Sequence, residues 1–279
     1  MADSTSRPPD GSAAHPPVSP ATSGASADAD GASGPEEVPL GGRTPTGDAQ
    51  TRATTAGRTT IPLLWALRED ATVCALLDAA DEFVAAQGFT EHGQRHANLV
   101  GHIAFNVMTH LGHEDRTAEL AAAAGYLHDI GNVITRASHG QTGALLAWQI
   151  LQRLDVPMAD VAHVMAAIGN HEEQHGEAVS PVAAAVIVAD KSDVHRSRVR
   201  AAASIAEDIH DRVNYAVESS FLRVDPHART LTLELTIDTS VSQVLEYFEI
   251  FLERMIMCRR AAQVLGCDFR ITINDTPVL

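Results

Sequence analysis

The chain has 279 residues, and its 36 acidic against 20 basic side chains give a formal net charge of −16. That balance argues against a general nucleic-acid-binding surface, which needs clustered Lys and Arg, but leaves room for a small phosphorylated substrate met by a local cation or metal. Cys74, Cys258 and Cys267 are too scattered for a disulfide framework. No apolar run approaches the ~20 residues that span a bilayer, and no charged stretch leads into an apolar core at the N-terminus, so a cytoplasmic protein with no membrane partner is expected.

Residues 1–58 are built almost wholly from Ala, Ser, Gly, Pro, Thr and Asp. Such a segment buries too little apolar surface to offset its ordering entropy, and the expectation is a disordered tail. From residue 60 to 217 the pattern is helix after helix at 3.6-residue spacing, which predicts helices near 69–87, 91–111, 115–129, 139–154, 158–169, 181–194 and 198–217. Thr90 and Ser138 read as N-caps, and Gly88, Gly112 and Gly131 as helix stops.

After residue 217 the period changes. "SSFLRVD" and "TLTLELTID" alternate at period two across "PHAR", which predicts a hairpin. A long apolar helix near 240–265 follows, then the strand-like "DFRITIND". The expected fold is mostly α, a helical bundle over 60–217 with a small α+β segment, 218–279, packed on it. Helix 240–265 is apolar on more than one face and needs cover from two sides, for which the sheet and a second copy of the chain in a homodimer are candidates.

Most of the 14 histidines fall between His92 and His210. "TEHGQRHANLV" spaces His92 and His96 four apart, on one face of the predicted helix. "AAAAGYLHDIGN" ends a small-residue helix in His128-Asp129, and a buried His-Asp pair is costly unless paired or metal-bound. His139 then opens a helix in "SHGQTGALL", His171 follows a helix end in "AAIGNHEEQHG", and Asp190 closes the apolar "AAAVIVADKSD". A second dipeptide, His210-Asp211, lies on a charged helix and reads as a solvated face. Imidazole with carboxylate suits Mn, Fe or Zn better than Mg.

The ordered series of His96, His128-Asp129 before Ile130-Gly131, and a late Asp190 resembles the HD-domain superfamily of metal-dependent phosphohydrolases, over residues 90–195. That resemblance implies that His96, His128, Asp129 and Asp190 hold one divalent ion. His139 and His171 look like the extra ligands of two-metal members, with Asp129 shared between ions, so one or two ions are implied. Two features depart from relatives: Asn132 stands where many hydrolytic members have Lys, and "NHEEQHGEAVSP" lacks the GYP signature of the cyclic-di-GMP phosphodiesterases. Where three-metal variants of that branch carry a glutamate, this chain has His92, a candidate further ligand or substrate contact.

Lys191 is the sole lysine of the chain and follows Asp190 directly. A catalytic or phosphate-binding role is assigned to it, with Arg196 and Arg200, four apart on the predicted helix, as takers of a second phosphate. Asn132 and Glu172 are expected to orient ligands. Three functions share this ligand series: a phosphohydrolase acting on a nucleotide or other small phosphorylated metabolite, a di-iron oxygenase of the HD type, and a non-catalytic nucleotide-sensing module. The first is the leading reading.

Overall fold

The computed structural model describes residues 61–200 and 208–279. The expected tail at 1–58 and the 201–207 portion of the predicted helix 198–217 lie outside the described residues. Helices α1 (Pro62–Glu69), α2 (Ala71–Ala86), α3 (Gln94–His110), α4 (Asp115–Leu127), α5 (His139–Arg153), α6 (Met158–Gly169), α7 (Pro181–Lys191) and α8 (Ile209–Ala216) precede the strands β1 (Val217–Asp225) and β2 (Thr230–Ile237). Helix α9 (Val244–Val264) then leads to β3 (Asp268–Ile273) and the short β4 (Thr276–Pro277). Among the described residues, no helix is long and apolar enough to cross a membrane.

The helices begin and end where local chemistry dictates. Asp70 separates α1 from α2 and caps α2, accepting from the amides of Thr72 and Val73; what the sequence predicts as one helix near 69–87 is thus preceded by a separate short one. Ser180 caps α7 through the amide of Ala183, with Pro181 at the first turn, where its missing N–H costs nothing. Residues Val182 to Ala189 of α7 are buried without a break, so this helix has no solvent face and forms the middle of the bundle.

Small residues let α3 and α4 approach closely. A Cβ on Gly101 would sit 2.9 Å from the carbonyl of Ala122, and one on Gly125 would sit 3.1 Å from the Cα of Gly101. The contact brings His96, on α3, toward His128, at the end of α4. Beyond α4 the chain tightens into a 3-10 turn, Ile130–Val133, on which the start of α5 packs. Gly131 is therefore not a helix stop but a point of contact: a Cβ there would meet the carbonyl of His139 at 2.0 Å and the amide of Gly143 at 2.5 Å. Gly131→Ala should push α5 and His139 outward and cost about 1–3 kcal/mol, the usual penalty of overpacking. Thermal denaturation of the metal-free protein checks this.

Two further expectations are corrected. Helix α3 begins at Gln94 with Gly93 at its N-cap, so Thr90 caps nothing and His92 precedes the helix. Residues Arg196–Arg198 form a single 3-10 turn, and Val199 is extended, so Arg196 and Arg200 share no helix face.

The C-terminal segment follows the predicted order. β1 and β2 pair antiparallel across the 226–229 turn, α9 crosses over to place β3 parallel to β2, and β4 returns antiparallel to β3. α9 buries Tyr247, Phe251, Met255 and Cys258, and packs against α7, β2 and β3. The bundle and the sheet thus supply its cover, while Leu245 and Leu252 stay exposed.

Candidate metal centre

Four histidine rings converge in the middle of the bundle, and the backbone fixes how each presents itself. His128 and His171 each turn Nδ1 back to the carbonyl three residues earlier, Gly125 and Ile168, both at 2.7 Å. His139 does the same to the carbonyl of Arg136 at 3.0 Å. His96 sets Nδ1 against the Asp193 carboxylate, 2.7 Å from Oδ2. Carbonyls and carboxylates only accept, so each Nδ1 carries a proton, and in the neutral form of each ring it is Nε2 that keeps a lone pair.

Those lone pairs face one another. Nε2 of His96 lies 3.2 Å from Nε2 of His128, and Nε2 of His139 lies 3.0 Å from Nε2 of His171. Two lone pairs at that distance repel unless a cation or proton sits between them.

The carboxylates complete two neighbouring sets. Asp190 Oδ1 stands 3.3 Å from His96 Nε2 and 3.5 Å from His128 Nε2. Asp129 Oδ2 stands 3.5 Å and 3.3 Å from the same two atoms and, among the described residues, has no hydrogen-bond partner although buried. Its other oxygen, Oδ1, turns the opposite way, 3.1 Å from His139 Nε2 and 3.9 Å from His171 Nε2. Ligands at about 2.1 Å from a common ion stand about 3.4 Å apart when tetrahedral, so the spacings of the first set fit a transition metal. The ligand atoms of His96, His128 and Asp190 lie within 4.8 Å of one another, as do those of His128, Asp129 and His171. An orphaned carboxylate oxygen beside bare imidazole nitrogens is a donor set made for a divalent cation, and the residues present fit one.

The electrostatics point the same way. Burial disfavours a charge on His128, but the carboxylates of Asp129 and Asp190 outweigh it and push its pKa up to about 10. The cluster demands positive charge, and without an ion His128 supplies it as a proton. Burial raises the carboxyl pKa of Asp129 and Asp190, yet both are held well below the usual range, Asp129 by His128 and Asp190 by Lys191 and His128. Because the folded pKa of His128 lies above its ordinary value of 6.5, its contribution to the metal-free fold is complete below pH 6.5 and lost as pH rises toward 10. A metal entering the site must displace that proton. Mn affinity should therefore rise about tenfold per pH unit between pH 6 and 8, which titration calorimetry in two buffers of different ionisation enthalpy will show as proton release.

Residues around the cluster hold it in place. Asn132 donates to Asp129 Oδ1 at 3.0 Å, and Glu172 Oε1 accepts from the amide of Gly140 at 2.6 Å while lying 3.4 Å from His139 Nδ1. Asp193 is buried. It accepts from Arg95 at 2.9 Å as well as meeting His96, and the guanidinium of Arg198 lies beside it. Its carboxyl is held far below the usual range despite burial, chiefly by the His96 hydrogen bond and the Arg198 charge. Its position three residues after Asp190, on the same side of the chain, is the only sequence signal that could have marked it.

Lys191 is 4 % exposed, and its ammonium donates to Asp190 Oδ2 at 2.6 Å and sits 3.0 Å from Glu173 Oε1. Burial works against its charge, but Asp190 and Glu173 prevail and raise its pKa. The Lys191 ammonium thus lies behind Asp190, on the carboxylate oxygen opposite the one that faces the histidines. Arg196 pairs with Glu218 at 3.0 Å and stacks on Tyr215, and Arg200 pairs with Asp81. Both guanidiniums thus face carboxylates of the chain itself. Arg196→Ala should leave metal content unchanged, as elemental analysis will show. His92 keeps its ring 5.7 Å from that of His96 through a hydrogen bond to the carbonyl of Thr90, not through a shared helix face.

The model of the family described as HD domain matches residues 94–195, the stretch that carries all six converging ligands. This chain carries an HD domain. No curated protein and no solved structure matches the chain. Within the HD domain, α3, the end of α4, α5, the end of α6 and the end of α7 each deliver one part of the cluster. The C-terminal segment touches it indirectly: Arg254 of α9 pairs with Glu173 at 2.9 Å, and Glu173 in turn meets Lys191.

Proposed function

We propose that this protein is a metal-dependent phosphohydrolase that cleaves a phosphoester or phosphoanhydride of a nucleotide or another small phosphorylated metabolite. The observation that carries the reading is Asp129, whose two oxygens face two different histidine pairs while one of them has no hydrogen-bond partner among the described residues. His96, His128, Asp129 and Asp190 would hold one ion, and Asp129, His139 and His171 a second. Ions so held supply a water of lowered pKa and draw charge from phosphoryl oxygens. The chain's own part is rigidity: each ring is locked by its Nδ1 partner, Lys191 keeps Asp190 ionised and aimed, and Glu173 holds the Lys191 ammonium in place. The acidic chain favours small anions only where a local cation offsets the net charge of −16.

The test is release of inorganic phosphate from a panel of mono-, di- and trinucleotides and sugar phosphates by the full chain loaded with Mn. Activity on at least one class, abolished by chelation and restored by Mn, is the expected result. Oxygen consumption with no phosphate released from any compound would overturn it in favour of redox chemistry at the same ligands.

A further inference from the structure

From the geometry we infer that Arg136 is the residue that binds the anionic phosphoryl group at this centre, an inference that rests on the phosphohydrolase reading. Arg136 lies in the loop between the 3-10 turn and α5, where the sequence pattern gave no reason to look. Its backbone carbonyl already orients His139, and its side chain folds back over the same ring. Nη1 lies 3.4 Å from His139 Nε2, 3.7 Å from Asp129 Oδ1 and 3.1 Å from Asn132 Oδ1. The guanidinium carbon stands 5.2 Å above the ring of Phe89, itself 41 % exposed.

Three observations single it out. First, the other cations around the cluster are already engaged. Lys191, Arg95 and Arg254 each meet a carboxylate within 3.0 Å, Arg200 pairs with Asp81, and Arg198 is buried against the carbonyls of Glu91 and Asp193. Among the described residues, Arg136 bonds only to the neutral amide of Asn132 and the ring of His139; its nearest carboxylate oxygen there, 3.7 Å away, is one that faces the second histidine pair. Among the described cations beside the site that reach solvent, its charge is the least compensated; Arg198, 3.9 Å from Asp193, is buried.

Second, Arg136 reaches solvent while touching the cluster. Its side chain is 26 % exposed, whereas the histidine and aspartate side chains of the cluster range from 0 to 12 %. Its guanidinium therefore joins solvent to Asp129 Oδ1 and His139 Nε2, 3.7 and 3.4 Å away.

Third, Asn132 ties the two together. Its amide donates to Asp129 Oδ1 and its carbonyl oxygen accepts from Arg136, so the same side chain fixes the shared carboxylate and the guanidinium. A guanidinium fork presents paired N–H donors to phosphate oxygens, which an ammonium cannot match. Asn132 is a positioning residue in this account, and Arg136 the contact.

The probe is inorganic phosphate, titrated calorimetrically into the Mn-loaded full chain, with metal content measured on each sample. Arg136→Ala should weaken phosphate binding about 10- to 100-fold, the loss of one or two charge-assisted hydrogen bonds, with Mn content unchanged. Arg136→Lys should fall between the two, and Arg136→Gln, which keeps the stem packed on Phe89, should behave as the alanine variant. Phosphate bound equally by wild type and both charge-removed variants overturns the role of Arg136 and leaves the hydrolase reading standing. Variants that lose Mn together with phosphate overturn it too, since Arg136 would then serve the scaffold. Wild-type protein that holds Mn but binds no phosphate overturns the hydrolase reading itself.

Discussion

Asp129→Asn is expected to strip the protein of bound metal while leaving the fold intact. The substitution keeps the volume but removes the charge that Oδ2 turns toward His96 and His128 and Oδ1 toward His139 and His171. An amide also brings N–H donors, which satisfy bare Nε2 lone pairs directly, so the need for a cation disappears at the same time. His128 loses the larger of the two carboxylate charges that raise its pKa, which should fall toward the ordinary histidine value. Phosphate release should drop by on the order of 10³-fold, the worth of about 4 kcal/mol of lost charge stabilisation. Elemental analysis, thermal denaturation with and without Mn, and the phosphate assay check the three parts separately.

Asp193→Ala is expected to damage both fold and site. The carboxylate is buried and faces the Nδ1 of His96, the guanidinium of Arg95 and that of Arg198. Its removal leaves positive charge buried without its partner, which costs about 3–5 kcal/mol and lowers the midpoint of thermal unfolding by on the order of 10 °C. It also frees the His96 ring to rotate or change tautomer, for which a loss of about 10- to 100-fold in metal affinity is expected. The two variants separate a ligand from its support: Asp129→Asn should lose metal at nearly unchanged stability, Asp193→Ala should lose stability first.

Much of this arrangement is legible in the sequence, and the boundary has a physical origin. Helical periodicity, the period-two hairpin and the order of His96, His128-Asp129, His139, His171 and Asp190 are local signals, and each helix end then delivers its residue to the centre. What local patterns leave out are contacts between segments about a hundred residues apart. Arg198 reaches the carbonyl of Glu91, Arg200 reaches Asp81, and Asp193 meets His96, so three residues that follow α7 tie its end to α2 and to the start of α3. Lys191 shows the same limit: its neighbour in sequence, Asp190, is visible, whereas Glu173, its second carboxylate partner, comes from the loop after α6. Gly131 looks like a helix stop because the sequence does not show the carbonyl of His139 lying against it. Arg136 sits in a loop of unremarkable composition, and only the fold over Asn132 and Phe89 gives it meaning.

The central claim is that the buried cluster holds divalent metal through Asp129 and the four histidines. Elemental analysis of the full chain purified without chelator and then incubated with Mn or Fe, beside Asp129→Asn treated identically, tests it most directly. The account predicts about two ions per wild-type chain when metal is in excess, and at most a small fraction of that in the variant. Wild-type protein that takes up no more metal than Asp129→Asn would contradict it.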